Sequence, residues 1–167
     1  MKTCADDYTN KHLGYPMIVN VDKTNLLKAA TVHSAAWKES HRAFCSPDFV
    51  DIHTPEHQQA YLQRKMDQGS RVYMLTGNEP IGIVSVTGSL IEDLYIHPDY
   101  QNMGYGTILL QYAIRECENK PVLWVLENNT GAERFYRRAG FRQTGRRNQI
   151  TKDLDEVEFS LEEKDYD

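Results

Sequence analysis

The chain has 167 residues, 40% of them hydrophobic, which is enough to build one globular domain with a sizeable core. Its 24 acidic and 19 basic residues give a formal net charge of −5, which disfavours a protein that coats nucleic acid, because phosphate-driven binding needs a basic surface. Three widely spaced cysteines do not make a disulfide framework and fit a reducing cytoplasm, and no apolar run approaches the roughly 20 residues of a membrane span.

The first part of the chain predicts one strand and two helices. Residues 1–14 have no apolar core after the N-terminal lysine, so we expect a loosely ordered extension and no signal peptide. The first helix has Asp22 or Thr24 available as its cap, and the second begins at Thr54-Pro55, a capping residue followed by proline. We predict a strand over residues 16–21 and helices over residues 25–44 and 54–69.

The remainder of the chain is rich in strand patterns. Gly77-Asn78-Glu79 is typical of a hairpin turn, and Gly140 is suited to end a helix. We predict strands over residues 71–76, 80–86, 90–96, 122–126, 141–150 and 156–161, and helices over residues 106–118 and 130–139. This order favours an α/β fold with a mixed sheet covered by helices, in one domain over residues 15–162 with a tail over residues 163–167.

The most informative stretch is the turn between the third β-rich run and the following helix, where Gly104 and Gly106 occur. Glycines there let consecutive amides point into one concavity at the positive end of the helix dipole, which suits phosphate oxygens. A dinucleotide fingerprint would need a glycine where Leu109 stands, and the Gly-Lys-Ser/Thr of a P-loop is absent. Spacing alone leaves open a glycine-rich turn without any ligand.

Two linked motifs resemble those of the GNAT superfamily of acyl-CoA-dependent N-acyltransferases. The first is Gln101-x-x-Gly104-x-Gly106, preceded by a stretch similar to that family's fourth strand, and the second is Asn129-x-x-Ala132-x-x-Phe135-Tyr136-x-x-x-Gly140-Phe141. The element order matches as well. The resemblance implies a mostly antiparallel sheet that is splayed at its centre and flanked by about four helices.

The resemblance also implies acetyl-CoA as cosubstrate. The coenzyme A pyrophosphate would lie on the glycine turn, formed by Gln101, Asn102, Met103, Gly104, Tyr105, Gly106 and Thr107. Its pantetheine arm would pair with the backbone of Leu94, Tyr95 and Ile96, and one of those amides would polarise the thioester carbonyl. Asn129 and Phe135 of the second motif would contact the cofactor, and Asn129 is also suited to cap its helix.

Tyr136 is, by the same resemblance, the general acid that protonates the departing thiolate of coenzyme A. A phenol with a pKa of about 10 can supply that proton at neutral pH. The residues themselves offer a second interpretation, since Ala132, Phe135, Tyr136 and Ala139 recur at i, i+3, i+4 and i+7 and could simply form a packed helix face.

Glu92 is the candidate general base that takes a proton from the acceptor amine. Many family members have a glutamate two residues earlier, where this chain has Leu90, but residues 90 and 92 share a strand face. Glu92-Asp93 also resembles the acceptor site of polyamine and thialysine acetyltransferases. Strand alternation predicts that Asp93 points to the opposite face. An exposed carboxylate without function is the alternative.

Weaker signals come from Trp37, the arginines and two histidines. Trp37 could form a wall of the acceptor cleft or belong to the core. Some arginines between residues 134 and 147 could meet cofactor phosphates, whereas most fit a solvated face. His53 and His57 lie four residues apart, but a helix is predicted to begin between them and no third ligand is placed, so we predict no metal site.

The sequence is therefore predicted to encode a cytoplasmic N-acetyltransferase that moves an acetyl group from acetyl-CoA to a primary amine by direct attack in a ternary complex. The acidic net charge favours a small cationic acceptor such as a polyamine or a lysine-like side chain. A protein N-terminus or an aminoglycoside-like drug stays open, as does a homodimer. The alternative is a coenzyme A-binding sensor or interaction module without turnover.

Overall fold

The structure is a computed structural model that describes residues 15–43 and 45–162. The predicted extension and tail lie outside the described residues. The elements in chain order are β1 (Met17–Asn20), α1 (Leu26–His41), α2 (Pro47–Asp51), α3 (Pro55–Asp67), β2 (Arg71–Thr76), β3 (Pro80–Thr87), β4 (Leu90–Ile96), a 3-10 turn (Pro98–Tyr100), α4 (Tyr105–Glu116), β5 (Val122–Leu126), α5 (Thr130–Arg138), β6 (Phe141–Thr151) and β7 (Leu154–Leu161).

The strands form one seven-stranded sheet in the order β1-β2-β3-β4-β5-β7-β6. Neighbouring strands are antiparallel except β4 and β5, which are parallel and oppose each other at a single pair, Leu90 and Val122. Beyond that pair the two strands separate, and the edge of β4 that faces β5 is left without a partner strand. The predicted mixed, mostly antiparallel sheet with a central splay is confirmed.

A β-bulge interrupts β4 where the splay opens. The pairing shifts register so that Val84 of β3 faces two residues of β4, Asp93 and Leu94. Asp93 adopts a φ of +52°, in the left-handed region that is uncommon for a residue with a side chain. A bulge of this kind inserts one unpaired residue and breaks the two-residue alternation of the strand. The side chains after Glu92 therefore do not follow a regular in-and-out pattern.

Helices cover both faces of the sheet. Side chains of β2 point alternately to one face and to the other. Tyr73 and Leu75 pack with the buried face of α4, while Val72 and Met74 pack with α1 and α3. The largest fully buried side chains on the α4 side include Phe141, Phe159, Leu109 and Leu110. The two cores fix the positions of β4 and α4, the elements that flank the splay.

The predicted elements are all present, with boundaries that differ by at most three residues because element ends fray. The short helix α2 is not among the predictions, so the described residues hold five α-helices. The predicted cap of α1 is wrong: Asn25 is the N-cap, and the Asp22 carboxylate instead accepts bonds from Thr24. The cap at Thr54 and the positive φ at Gly140 are confirmed.

Candidate active site

A cleft of about 1130 Å³ opens where β4 and β5 separate, between α4 and α5. It brings together residues that lie far apart in the sequence. Those from the sequence-based prediction are Glu92, Leu94, Tyr95, Ile96, Gln101, Asn102, Gly104, Tyr105, Gly106, Thr107, Asn129, Phe135 and Tyr136. Met103 is 62% exposed, and neither it nor Trp37 belongs to the cleft lining.

The glycine turn has the predicted left-handed backbone at Gly104 but not at Gly106, which lies outside the positive-φ region. Gly104 is the N-cap of α4 with a φ of +85°, and nothing lies within 4 Å of the point where a Cβ would sit. The first turn of α4 contains no acidic residue, so no side chain competes for the dipole at this end. The Gln101 side-chain amide donates a hydrogen bond of 3.1 Å to the carbonyl of Ile96, which ties the turn to the end of β4.

A basic hollow of about 630 Å³ adjoins the cleft at Asn102. It is lined by Arg134, Arg137 and Arg138 of α5 together with Gly131. Arg137 is paired with Glu133, at 2.8 Å between Nη2 and Oε1. Among the described residues no acidic side chain lies within ion-pair distance of the other two arginines, so their charges are available to an anion.

The arginines farther along the chain are different. Arg146 pairs with the buried carboxylate of Glu158 at 3.2 Å, and Arg147 pairs with both Glu127 and Asp155 at 2.6 and 3.2 Å. Both arginines lie on β6, whereas the glycine turn precedes α4. The fold therefore separates the arginines of this segment into a group at the hollow, where Arg134 and Arg138 are unpaired, and a paired group on β6.

The position of Tyr136 on α5 is compatible with both interpretations of this residue, a packed helix face and a general acid. Its ring packs edge-on against Phe135 and Phe141, with ring centres 5.1 and 6.0 Å apart. The same side chain lines the cleft. Burial raises the pKa of Tyr136 above its ordinary value, so the phenol keeps its proton at neutral pH. A core position and a position facing the cleft are thus compatible for this residue.

Glu92 faces the cleft and is bound to a lysine from another element. The Lys65 ammonium of α3 lies 2.6 Å from Glu92 Oε2 and 2.7 Å from Asp93 Oδ2. The prediction that Asp93 points away from Glu92 is wrong, because the bulge turns both carboxylates toward the same ammonium. Asp93 Oδ2 also accepts from Ser85, and Asp93 Oδ1 accepts from the Tyr61 hydroxyl at 2.9 Å.

The electrostatics of this cluster follow from burial and from Lys65. Burial by itself raises the pKa of Asp93, but the Lys65 charge and the hydrogen bonds from Lys65 and Ser85 outweigh it and hold that pKa below its usual range. Burial also disfavours the charged form of Lys65 and by itself would lower its pKa. The two carboxylates outweigh burial, so the pKa of Lys65 lies above its ordinary value. His33 lies 4.0 Å from Asp93 Oδ1, and burial lowers its pKa to about 4.

Trp37 lies one layer behind the cleft. Its indole is sandwiched between His41, at 3.9 Å between ring centres, and His53, at 3.5 Å, while Phe49 packs against its edge. His41 lines the cleft, so Trp37 supports a wall residue. The ring centres of His53 and His57 are 5.0 Å apart. In the described part of the chain, no group of three His, Cys, Asp or Glu side chains is placed to hold a metal ion.

Sequence reasoning missed Lys65, Ser85 and His33 as residues of this site. Lys65 and Glu92 are 27 residues apart, and Lys65 occurs in a helix whose sequence carries no motif. A signal was present only at Asp93, whose position next to Glu92 gives two adjacent carboxylates that need a counter-charge when buried.

None of the helices in the described ranges is long and apolar enough to cross a bilayer.

Two curated relatives match this chain over a 69-residue segment. They are named peptidyl-lysine N-acetyltransferase YjaB, from Salmonella typhimurium and Escherichia coli, and are 36% and 32% identical over that segment. The segment is 41% of this chain and 47% and 46% of the relatives, so the chain spans about half the length of the curated relatives it matches.

Solved structures share the fold over most of both chains. The PaiA N-acetyltransferase from Thermoplasma acidophilum, determined in complex with coenzyme A, is 17% identical with a TM-score of 0.68, covering 88% of this chain and 99% of that one. The ribosomal-protein-S18-alanine N-acetyltransferase from Escherichia coli is 22% identical with a TM-score of 0.65, covering 87% and 92%. At these identities the likeness establishes the fold alone.

The family is established by the sequence itself. Residues 34–141, which are more than half of the chain, match the model of the family described as Acetyltransferase (GNAT) family. The matched segment runs from α1 to the first residue of β6 and so includes the bulged strand, the glycine turn and α5. The chain belongs to the GNAT acetyltransferase family.

Proposed function

We propose that this protein is an acetyl-CoA-dependent N-acetyltransferase acting on a primary amine by direct attack in a ternary complex. The observation that carries the proposal is that an unpartnered edge of β4, the glycine turn and Tyr136 meet in one cleft. The names of the two curated relatives and the coenzyme A complex of the PaiA enzyme support it.

The residues present fit acetyl-CoA. The open space around Gly104 at the start of α4 suits the pyrophosphate, because helix N-terminal amides bind phosphate oxygens. The unpaired arginines Arg134 and Arg138 supply positive charge for further phosphate oxygens. The edge of β4 beyond Leu90 offers backbone groups to the amides of the pantetheine arm. When bound, acetyl-CoA supplies the activated thioester.

In the proposed reaction, the neutral amine nitrogen of the acceptor forms a bond to the acetyl carbonyl carbon while the bond from that carbon to sulfur breaks. A backbone amide among residues 94–96 stabilises the negative charge that develops on the carbonyl oxygen. Tyr136 donates its phenolic proton to the departing thiolate. Glu92, directly or through water, accepts the proton that the amine loses. Proximity contributes strongly, because the cleft holds both reactants together.

The acceptor is the finer part of the proposal. The cleft exposes Glu92, whose side chain is 40% exposed, beside the nearly buried Asp93. These carboxylates favour a cationic amine, such as a lysine side chain or a small aliphatic amine. The lysine side chain also agrees with the name of the two relatives. A homodimer is a separate prediction that the site does not require.

Binding of acetyl-CoA is tested by thermal unfolding. Acetyl-CoA is expected to raise the thermal unfolding midpoint of the wild type, because a ligand that binds only the folded state stabilises it. Gly104→Val is expected to abolish that shift. The matched control is Gly145→Val, which imposes the same positive-φ strain on β6, where nothing lies within 4 Å of the added Cβ. Absence of a shift in the wild type at millimolar acetyl-CoA would refute the cosubstrate assignment.

Turnover is measured as free thiol released from acetyl-CoA with a panel of amines that includes a lysine peptide. Tyr136→Phe keeps the packed ring and removes the hydroxyl, so kcat is expected to fall by roughly ten-fold to a thousand-fold with little change in acetyl-CoA affinity. An unchanged kcat, at a pH where chemistry limits the rate, would leave Tyr136 with packing alone. A normal thermal shift without thiol release for any amine would favour the sensor without turnover.

A further inference from the structure

The acidic site in the cleft is already partly neutralised by a cation of the protein itself. Lys65 reaches β4 from α3 and places its ammonium 2.6 Å from Glu92 Oε2, 2.7 Å from Asp93 Oδ2 and 3.2 Å from the hydroxyl oxygen of Ser85. These three acceptors match the three N–H donors of an ammonium. The Lys65 side chain is only 13% exposed and does not line the cleft. Lys65 therefore contacts the two carboxylates from the side that does not face the cleft.

The bulge in β4 is what makes this arrangement possible. In a regular strand, Glu92 and Asp93 would point to opposite faces, and one ammonium could not reach both. The left-handed φ of +52° at Asp93 brings the second carboxylate to the same side. Both residues then border the cleft, Glu92 with 40% and Asp93 with 10% of the side chain exposed.

The charge of the cluster can be counted. Glu92 and Asp93 contribute two negative charges and Lys65 contributes one positive charge. The neighbouring Tyr61 hydroxyl is neutral and donates to Asp93 Oδ1. His33, whose Nε2 lies 4.0 Å from that oxygen, is neutral at pH 7 because burial lowers its pKa to about 4. The site presents one net negative charge to the cleft.

We propose that Lys65 is a specificity-determining residue: it leaves the Glu92–Asp93 site with one net negative charge and so disfavours acceptors that bring a second ammonium close to the reacting amine. This rests on the proposed acetyltransferase function. An acceptor with one ammonium neutralises the site, whereas a second ammonium finds no uncompensated negative charge there, since Glu92 Oε2 and Asp93 Oδ2 already accept from Lys65. Lys65 acts through the carboxylates and does not touch the reacting atoms.

The test compares two amines that differ by a single charge, pentylamine and 1,5-diaminopentane. Their dissociation constants are measured by titration calorimetry with coenzyme A present as the dead-end partner, and their kcat/KM values by thiol release from acetyl-CoA. Lys65→Met is expected to improve the diamine relative to the monoamine by about ten-fold to a hundred-fold in both ratios, the range of one charge-assisted hydrogen bond. Lys65→Arg, which keeps the charge, is expected to keep the wild-type ratios.

The matched control is Lys28→Met, which removes the same charge from an exposed position on α1 and is expected to leave both ratios unchanged. A purely structural role of Lys65 would weaken both amines equally, and unchanged ratios in folded Lys65→Met would overturn the inference. If that variant does not fold, Glu92→Gln decides the matter. It removes one negative charge while Lys65 remains, so the diamine must lose more than the monoamine, and equal losses would overturn the inference.

The two proposals fail in distinguishable ways. Wild-type protein that binds neither amine, but releases thiol with a lysine peptide, would overturn the role of Lys65 and leave the acetyltransferase proposal standing. Wild-type protein that releases no thiol with any amine would refute the acetyltransferase proposal and the inference with it.

Discussion

His33 makes the stability of this protein depend on pH in a way that can be calculated. Its imidazole is 2% exposed, lies between the rings of Tyr61 and Tyr95, and has an Nδ1 atom without a hydrogen-bond partner among the described residues. Burial lowers the pKa of His33 from 6.5 to about 4. The nearby Asp93 carboxylate opposes this change, and the positive charge of Lys65 adds to it.

The sign and size of the effect follow from proton binding. In the unfolded chain His33 binds a proton near pH 6.5, whereas the folded protein accepts it only near pH 4, so the unfolded state binds more protons between these values. The free energy of unfolding therefore falls as the pH drops through this window. A difference of about 2.5 pH units corresponds to about 3 kcal/mol. Above pH 6.5 the contribution of His33 is constant.

The assay is urea unfolding at several pH values between 7 and 4 for the wild type and for His33→Phe. Phenylalanine keeps an aromatic ring between the two tyrosines and cannot titrate. Carboxylates that do not interact with His33 contribute equally to both proteins, so the difference between the two curves reports His33 together with its coupling to Asp93. We expect the wild type to lose about 3 kcal/mol more than the variant on acidification to pH 4. Parallel curves for the two proteins would refute the buried, neutral histidine.

Gly82→Ala is expected to destabilise the fold by about 1–3 kcal/mol and to weaken acetyl-CoA binding, because the new Cβ would lie 2.5 Å from Cδ1 of Ile96 in β4. Gly106→Ala serves as its control, since the nearest atom to the new Cβ is an ordinary 3.5 Å away, and urea midpoints compare the two. Arg134→Gln is expected to raise the coenzyme A dissociation constant about ten-fold by calorimetry. Arg147→Gln, in an already paired arginine of the hairpin, should leave that constant unchanged, and equal effects would contradict the anion role of the hollow.

Features that depend on neighbours within a few residues were predictable. The cap at Thr54, the αL position at Gly140 and the glycine turn before α4 each follow from local backbone preferences. Helix α2 was not predicted, although a local start signal is present. Ser46-Pro47 is the same kind of start signal as Thr54-Pro55, but five residues are too few for a hydrophobic period to appear.

Two features were decided by tertiary structure alone. Alternation predicted that Asp93 faces away from Glu92, and a bulge reverses this because β4 must leave β5 while it stays paired with β3. The partner of both carboxylates, Lys65, lies 27 and 28 residues away on α3, at a position set by the packing of that helix on the sheet. The sequence determined the order of the elements, the glycine turn and the family, because these are local patterns. The charge of the acceptor site was decided by the fold, because an ion pair between distant elements depends on strand register and helix packing.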